Sequence, residues 1–407
     1  MVTSTSSDSD DDTSSSNDGS QRELLETLDS AFDYEGRVDP RLTNHDFRSG
    51  YVSVIGAPNM GKSTLVNALL EEPLCIATRR PQTTRHAILG ILTTTNCQLC
   101  LLDTPGVIGE PAYKLQEGMM EAVQGALQSA DVLLVVTDLF STPIPNDELF
   151  QKIQTQANFR PVIVVINKID LIHKISASTT KNTDQTKDDE TTKTVTVEQA
   201  VARWRQMIPQ AIAIIPTCAS SDDNSNNNQK KEDPGVTALR KILVGGPDLP
   251  AAIRNLGRPI PGMFPADDTV TMSDAQAQQL LPLGPPLYDK DMYTDRTERF
   301  LASEMIRAAL LETFQKELPY CCEVQVTAFK EQQTKLIKID ANIFVERDSQ
   351  KRIVIGTQGA KIKQVGMLAR ETLQDFFQTK IYLQLQVKVD KDWRKQEDKL
   401  KRFGYLQ

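Results

Sequence analysis

Short apolar runs recur along the middle of the chain, each of strand length: YVSVI at 51–55, CQLCLL at 97–102, DVLLVV at 131–136, PVIVVI at 161–166 and AIAIIP at 211–216. These runs are rich in Val, Ile and Leu and apolar on both faces, which suits strands covered on both sides. Helical spacing fits the intervals between them. The pattern predicts an α/β unit with a mostly parallel sheet and helices on both faces.

Beyond Arg296 the periodicity changes. In residues 297–317, Phe300, Met305, Ala308, Leu311 and Phe314 follow a helical spacing. Alternation then puts Ile337, Ile339, Ala341, Ile343 and Val345 on one strand face, and Ile381, Leu383, Leu385, Val387 and Val389 on another. Between them, Ile362, Val365, Ala369, Leu373 and Phe376 return to a helical period. The result is a small α+β domain of order α-β-β-α-α-β.

Polar stretches divide these units. Residues 1–48 are Ser/Asp-rich at first and read as a disordered acidic tail. The α/β domain then spans 49–243, with polar insertions at 174–195 and 220–233 expected on its surface loops. Residues 244–295, rich in Pro and Gly, read as a linker that tethers rather than packs. The second domain spans 296–407. A chain of 407 residues suits this division into two or three domains.

The net charge of −8 argues against an anionic partner until it is placed. Residues 1–50 hold 12 acidic and 4 basic side chains, so the charges from Tyr51 onward cancel. Residues 347–407 hold 14 basic and 7 acidic side chains and are the most basic part of the chain. Six cysteines do not make a disulfide framework at this length and fit a reducing compartment. No apolar run approaches the roughly 18 residues of a membrane span. The start MVTSTSSDSDDDTSSS has neither signal-peptide nor transit-peptide character.

Gly56-Ala57-Pro58-Asn59-Met60-Gly61-Lys62-Ser63 matches G-x-x-x-x-G-K-[ST] between a strand and a helix, the context that a phosphate loop needs. Its glycines turn backbone N–H groups toward phosphate oxygens, and the helix N-terminus adds partial positive charge. Asn59, Gly61, Lys62, Ser63 and Thr64 are the candidate nucleotide-binding residues here. Lys62 is expected on the β- and γ-phosphates and Ser63 on Mg²⁺. At the end of an apolar strand, Asp103-Thr104-Pro105-Gly106 supplies a second phosphate-side motif. Asp103 is placed to organise Mg²⁺ through its water shell, and the Gly106 N–H to read the γ-phosphate.

Asn167-Lys168-Ile169-Asp170 follows the strand at 161–166. A carboxylate at Asp170 accepts from guanine N1–H and N2–H₂, donors that adenine lacks, so it selects GTP over ATP. Pro216-Thr217-Cys218-Ala219 ends the next strand, and a backbone N–H at Cys218 or Ala219 is expected to reach the base. In the loop 77–86, Thr83 and Thr84 are both candidates for a Mg²⁺ contact made only with the γ-phosphate present, and Thr84 is preferred. The catalytic set is thus Lys62, Thr84, Asp103 and Gly106. Val107 occupies a position where Ras-related GTPases orient water with Gln, so hydrolysis is expected to be slow unaided. Cys97 and Cys100 do not make a metal pair, because residues i and i+3 of a strand face opposite ways.

The basic segment encloses Gly356-Thr357-Gln358-Gly359, a G-x-x-G between two helices. Such a loop lets a nucleic-acid backbone approach closely, with bases along an apolar groove. Lys351, Arg352, Lys361 and Lys363 flank it and suit phosphate contacts. With the α-β-β-α-α-β order, this reads as a KH-type RNA-binding domain.

Together these segments resemble the Era-type GTPases: GAPNMGKSTLVNALL, PQTTRH, DTPG, NKID, TDRTERF, VERDSQKRIVIGTQGAKIKQVGMLAR and VKVDKDWRKQEDKLKRFGY, in order. The resemblance implies an α/β P-loop GTPase domain followed by an α+β type II KH domain. It implies GTP hydrolysis with GTP/GDP and Mg²⁺ as ligands. It further implies binding near the 3′ end of small-subunit ribosomal RNA and assistance to small-subunit assembly, with GTP favouring the RNA-binding arrangement. Asn59 sits where some relatives bind a monovalent cation, which admits K⁺. RNA rather than DNA is the expected partner and a monomer the expected state, with peripheral membrane contact left open. The family points to a mitochondrion or plastid, and the start at Met1, if true, to the cytoplasm. A non-enzymatic RNA-binding scaffold using GTP as a structural ligand is the alternative.

Overall fold

A computed structural model of the protein describes residues 44, 46–78, 80–107, 111–141, 148–171, 195–219, 233–245, 263, 280–332 and 335–406. Most of the acidic tail, most of both polar insertions and most of 246–279 lie outside the described residues.

The first domain is built on six strands in the order β2-β3-β1-β4-β5-β6. They are β1 (Arg48–Ile55), β2 (Ile88–Thr93), β3 (Cys97–Asp103), β4 (Val132–Asp138), β5 (Val162–Asn167) and β6 (Ala213–Pro216). The five apolar runs are the five parallel strands, and β2 is an antiparallel edge strand beside β3. Strand alternation sorts the side chains into two cores. Val52, Val54, Leu134, Ile163 and Val165 pack under α1 (Lys62–Leu70) and α5 (Pro234–Val244). Ile55, Leu133, Val135, Val162 and Val164 pack under α2 (Lys114–Ser129), α3 (Glu148–Gln156) and α4 (Val197–Met207).

The second domain runs α6 (Glu298–Thr313), β7 (Glu323–Gln332), β8 (Leu336–Val345), α7 (Asp348–Ile355), α8 (Ala360–Phe377), β9 (Lys380–Val389) and α9 (Glu397–Arg402). Its sheet has the order β7-β8-β9, with β8 antiparallel to β7 and parallel to β9. The predicted faces of β8 and β9 pack on α6 and α8 in one core. α6 is buried more completely than its predicted stripe. Ala302, Ile306, Ala309 and Leu310 face the second-domain core, while Leu301 joins a core of the first domain.

Four expected boundaries shift. Phe47 is buried and Arg48 opens β1, so the fold begins before residue 49. Val195 packs against the second core cluster and Asp233 caps α5 by accepting from the Val236 N–H at 2.9 Å, so both belong to the fold rather than to insertions. Residues 280–295 pack instead of tethering. Leu280 and Leu281 enter the first core. Gln98 receives the Leu287 and Tyr288 N–H groups and donates to the Tyr288 carbonyl. Tyr293 accepts from the Ile91 N–H, and Thr294 donates to the Leu89 carbonyl. A Pro-rich strap forms no ladder of its own, but its backbone and side chains satisfy donors and acceptors along the β1–β3 side of the sheet.

Candidate functional site

The carboxyl ends of β1, β3 and β5 open on a cavity of about 610 Å³. Its lining includes Asn59, Gly61, Lys62, Ser63, Thr64, Thr84, Gly106, Asn167, Lys168 and Asp170. Gly61 caps α1 with φ 84 and no side-chain cap, which leaves the first N–H groups of the helix free to meet an anion. A Cβ at Gly106 would lie 2.7 Å from the Pro58 Cα, so the glycine lets the two phosphate-side loops touch.

Lys62 donates to the Gly56 and Ala57 carbonyls, both at 3.1 Å. Burial brings its ammonium down to about 8, against the pull of Asp103. Phosphate oxygens are the kind of partner that returns such a buried ammonium to full charge. Ser63, Thr84 and Asp103 converge: Ser63 Oγ donates to Asp103 Oδ2 at 2.6 Å, and Thr84 Oγ1 lies 2.9 Å from Ser63 Oγ and 3.3 Å from Asp103 Oδ2. Burial pushes the Asp103 carboxyl up, opposed by Ser63, Lys62 and Thr84. Its Oδ1 is buried without a hydrogen bond. Two hydroxyls beside an orphaned carboxylate oxygen fit a hard dication that keeps waters in its shell.

At the base end, Asn167 clasps the phosphate loop. Its Nδ2 donates to the Met60 carbonyl at 3.0 Å, and its Oδ1 accepts from Thr217 at 3.3 Å and the Ala219 N–H at 3.1 Å. Lys168, at φ 60, donates to the Asn59 carbonyl. Cys218 Sγ lies 3.4 Å from Asp170 Oδ1. Cys218 and Ala219 are thus placed behind the lining: one touches Asp170, and the N–H of the other is spent on Asn167. The Ala219 N–H is directed at Asn167 Oδ1, which also accepts from Thr217. Thr83 donates to the Arg80 carbonyl at 2.8 Å, so only Thr84 of the pair reaches the carboxylate. Val107 packs toward the second core, so its side chain orients no water.

The other end of the molecule carries the G-x-x-G loop. Gly356 and Gly359 have φ 74 and 78, and a Cβ at Gly356 would press on Lys361. Thr357, Gln358, Arg352, Lys361 and Lys363 are exposed and Lys351 partly so. Ile353 and Met367, also exposed, flank the loop on α7 and α8. Both lie outside the predicted helical stripe, and their place off the buried faces carrying Val354 and Val365 is visible in the spacing.

Residues 51–168 match a family described as 50S ribosome-binding GTPase, and residues 317–394 match the KH domain. The chain is 34% identical to the chloroplastic GTPase ERA1 of Zea mays over 89% of its own length and 71% of the relative's. The chain belongs to the Era GTPase family. It superposes on an Aquifex aeolicus Era variant bound to GDP·AlF4− with a TM-score of 0.65, at 28% identity, covering 89% of this chain and all of that one. A second Era structure holds MgGDPNP and nucleotides 1506–1542 of 16S ribosomal RNA, with a TM-score of 0.65, 27% identity and the same coverage.

As an Era-family protein, the chain binds guanine nucleotide with Mg²⁺, hydrolyses GTP and binds RNA. Ser63, Thr84 and Asp103 are the residues that would hold the ion, whose charge offsets that of the transferring phosphoryl group. The free N-terminus of α1, Lys62 and Gly106 line one end of the same cavity, and Asn167 ties the phosphate loop to the Lys168–Asp170 end.

The Era-family halves also meet. Arg85, one residue after Thr84, buries its guanidinium in the KH domain. It donates to the carbonyls of Cys322 (2.9 Å) and Tyr320 (3.0 Å) and to Glu323 Oε2 (2.9 Å). Tyr405 donates to the same Glu323 oxygen at 2.7 Å. His86 stacks on Tyr405 with centroids 4.2 Å apart, and burial brings its imidazole down to about 4. Leu115 and Met119 of α2 pack with Trp393, Leu400 and Tyr405. Thr84 is visible from its loop, but nothing in local spacing says where Arg85 points.

Proposed function

We propose that this protein binds ribosomal RNA near the 3′ end of the small-subunit rRNA and assists small-subunit assembly. One observation carries the reading: a phosphate-loop cavity and an exposed basic G-x-x-G loop share a chain that aligns over 89% of its length with an Era seen on a 16S rRNA fragment. Thr357, Gln358 and the two glycines bring the RNA backbone close, Lys351, Arg352, Lys361 and Lys363 neutralise phosphates, and Ile353 and Met367 give bases an apolar edge. Val107 supports slow unaided hydrolysis. Asn59 remains the candidate for K⁺, tested by replacing K⁺ with Na⁺. The chloroplastic naming of the maize relative supports a plastid as the compartment, and a monomer suffices for both sites.

The deciding experiment is crosslinking in cells followed by RNA sequencing. Reads concentrated at the 3′ end of one small-subunit rRNA are expected, and they identify the compartment as well. Reads spread over unrelated RNAs would overturn the assignment.

A further inference from the structure

Thr84, Arg85 and His86 are consecutive, yet they serve opposite halves of the molecule. Thr84 Oγ1 lies within 2.9 Å of Ser63 Oγ and 3.3 Å of Asp103 Oδ2. Arg85 turns the other way, is 4% exposed, and is held by Cys322, Glu323 and Tyr320 together with the Pro319 carbonyl at 3.4 Å. Its guanidinium carbon lies 5.9 Å from the centre of the Trp393 ring. His86 is gripped between Tyr405 and Phe300. A loop that begins with short internal ties, such as Thr78 to Thr83, therefore ends in a buried anchor.

We propose that Arg85 is a positioning residue for GTP hydrolysis. Docked in the turn Pro319–Glu323, it holds Thr84 at the Mg²⁺ position, so that the RNA-binding half completes the GTP-bound form of the nucleotide site. The inference rests on the reading of Thr84 as a metal-binding residue.

The physical case is one of rigidity. Withdrawing Arg85 would strip a buried guanidinium of carboxylate and carbonyl partners and leave Glu323 buried with Tyr405 alone. Thr84, one peptide unit away, has no comparable tie of its own. Its hydroxyl contacts are the ones an arriving ion would replace. Coupling of this kind is reciprocal: a ligand that shifts the Pro319–Glu323 turn or the Tyr405 ring changes the fit of Thr84, and an ion on Thr84 braces the turn.

A merely structural Arg85 can be told from a positioning one, because GDP does not need Thr84. In the full-length protein, Arg85→Ala and Thr84→Ala would be compared for kcat, for the Mg²⁺ concentration giving half-maximal rate, and for affinity toward fluorescent GDP. Both variants are expected to lose about tenfold or more in kcat and to need more Mg²⁺, with GDP affinity of Arg85→Ala within about twofold of wild type. The double variant should be no worse than the poorer single one. Tyr405→Phe, which removes one hydroxyl from the anchor, keeps the test open if Arg85→Ala fails to fold, and a loss of about threefold in kcat is expected. Wild-type kcat and Mg²⁺ dependence in Arg85→Ala, with Thr84→Ala impaired, would overturn the inference alone. A parallel loss of GDP affinity in Arg85→Ala would also overturn it. A harmless Thr84→Ala would bring it down together with the reading it rests on.

Discussion

Asn167 donates its side-chain amide to the Met60 carbonyl at 3.0 Å, tying the base-reading strand end to the phosphate loop 107 residues earlier. The same side chain accepts from Thr217 and Ala219. Asn167→Ala leaves all three partners unpaired at a mostly buried site, a cost of about 1–3 kcal/mol. Affinity for GDP should therefore fall by about tenfold to a hundredfold, read by titration of a fluorescent analogue. Unchanged affinity would mean that the clasp does not hold the loop in its binding form.

Cys218 faces Asp170 across 3.4 Å. Burial first, and the Asp170 carboxylate after it, push the thiol up to about 11. Only the thiolate attacks an alkylating agent, so labelling at neutral pH should be slow and climb about tenfold per pH unit toward 11, where an ordinary cysteine levels off near 8.5. Mass spectrometry of the Cys218 peptide reads this. Complete labelling at pH 8 on the time scale of a free thiol would contradict it.

Glu304 and Arg307 form a buried pair on α6, with Arg307 Nε donating to Glu304 Oε1 at 2.8 Å. Burial pushes the Glu304 carboxyl up, but Arg307 more than offsets this and holds it below the ordinary range. Glu304→Ala leaves a buried guanidinium without its carboxylate and should cost about 3–5 kcal/mol in denaturant unfolding. A carboxyl lowered by folding stabilises above its unfolded pKa, so the pair's contribution is present at neutral pH and fades as pH falls below about 4.5. Equal wild-type and variant stability at pH 7 would refute the pair's role.

Lys361 and Lys363 are exposed beside the G-x-x-G loop. Replacing both by Glu should weaken RNA binding across sequences and flatten the salt dependence by about one counterion per lost phosphate contact. Binding measured between low and moderate salt decides it, with circular dichroism as the check on folding. An unaltered slope would place the phosphate contacts elsewhere.

Much of this was legible in the chain. The five parallel strands announce themselves because both of their faces are buried, so their runs are almost wholly apolar, and Ser53 and Gln98, the polar residues inside them, spend their side chains on backbone groups. β2 did not, because Gly90 breaks its run. That glycine exists to admit Leu70, whose Cδ1 would lie 2.4 Å from an added Cβ. The nucleotide residues were legible because backbone geometry at Gly61 and chemistry at Lys62 and Asp170 demand particular residue types at fixed spacing. Arg85, Glu323 and Tyr405 were not, since their contacts join positions more than 80 residues apart and any buried arginine would look the same in one dimension. On α6 a helical stripe was the wrong template, because one helix serves two cores at once.

The strap at 280–295 changes what it means to cut this molecule. Arg48 donates to the Leu281 carbonyl at 2.7 Å, Arg48 pairs with Leu283, and the Tyr51 and Tyr288 hydroxyls meet at 2.9 Å. A protease that severs the backbone between Val244 and Leu280 should yield two polypeptides that co-elute, held by the strap and by Arg85. A recombinant fragment ended at Val244 would instead lose Leu280 and Leu281 from its core and bare the Gln98 amide. The smallest piece able to retain that core starts before Phe47 and runs at least through Leu301.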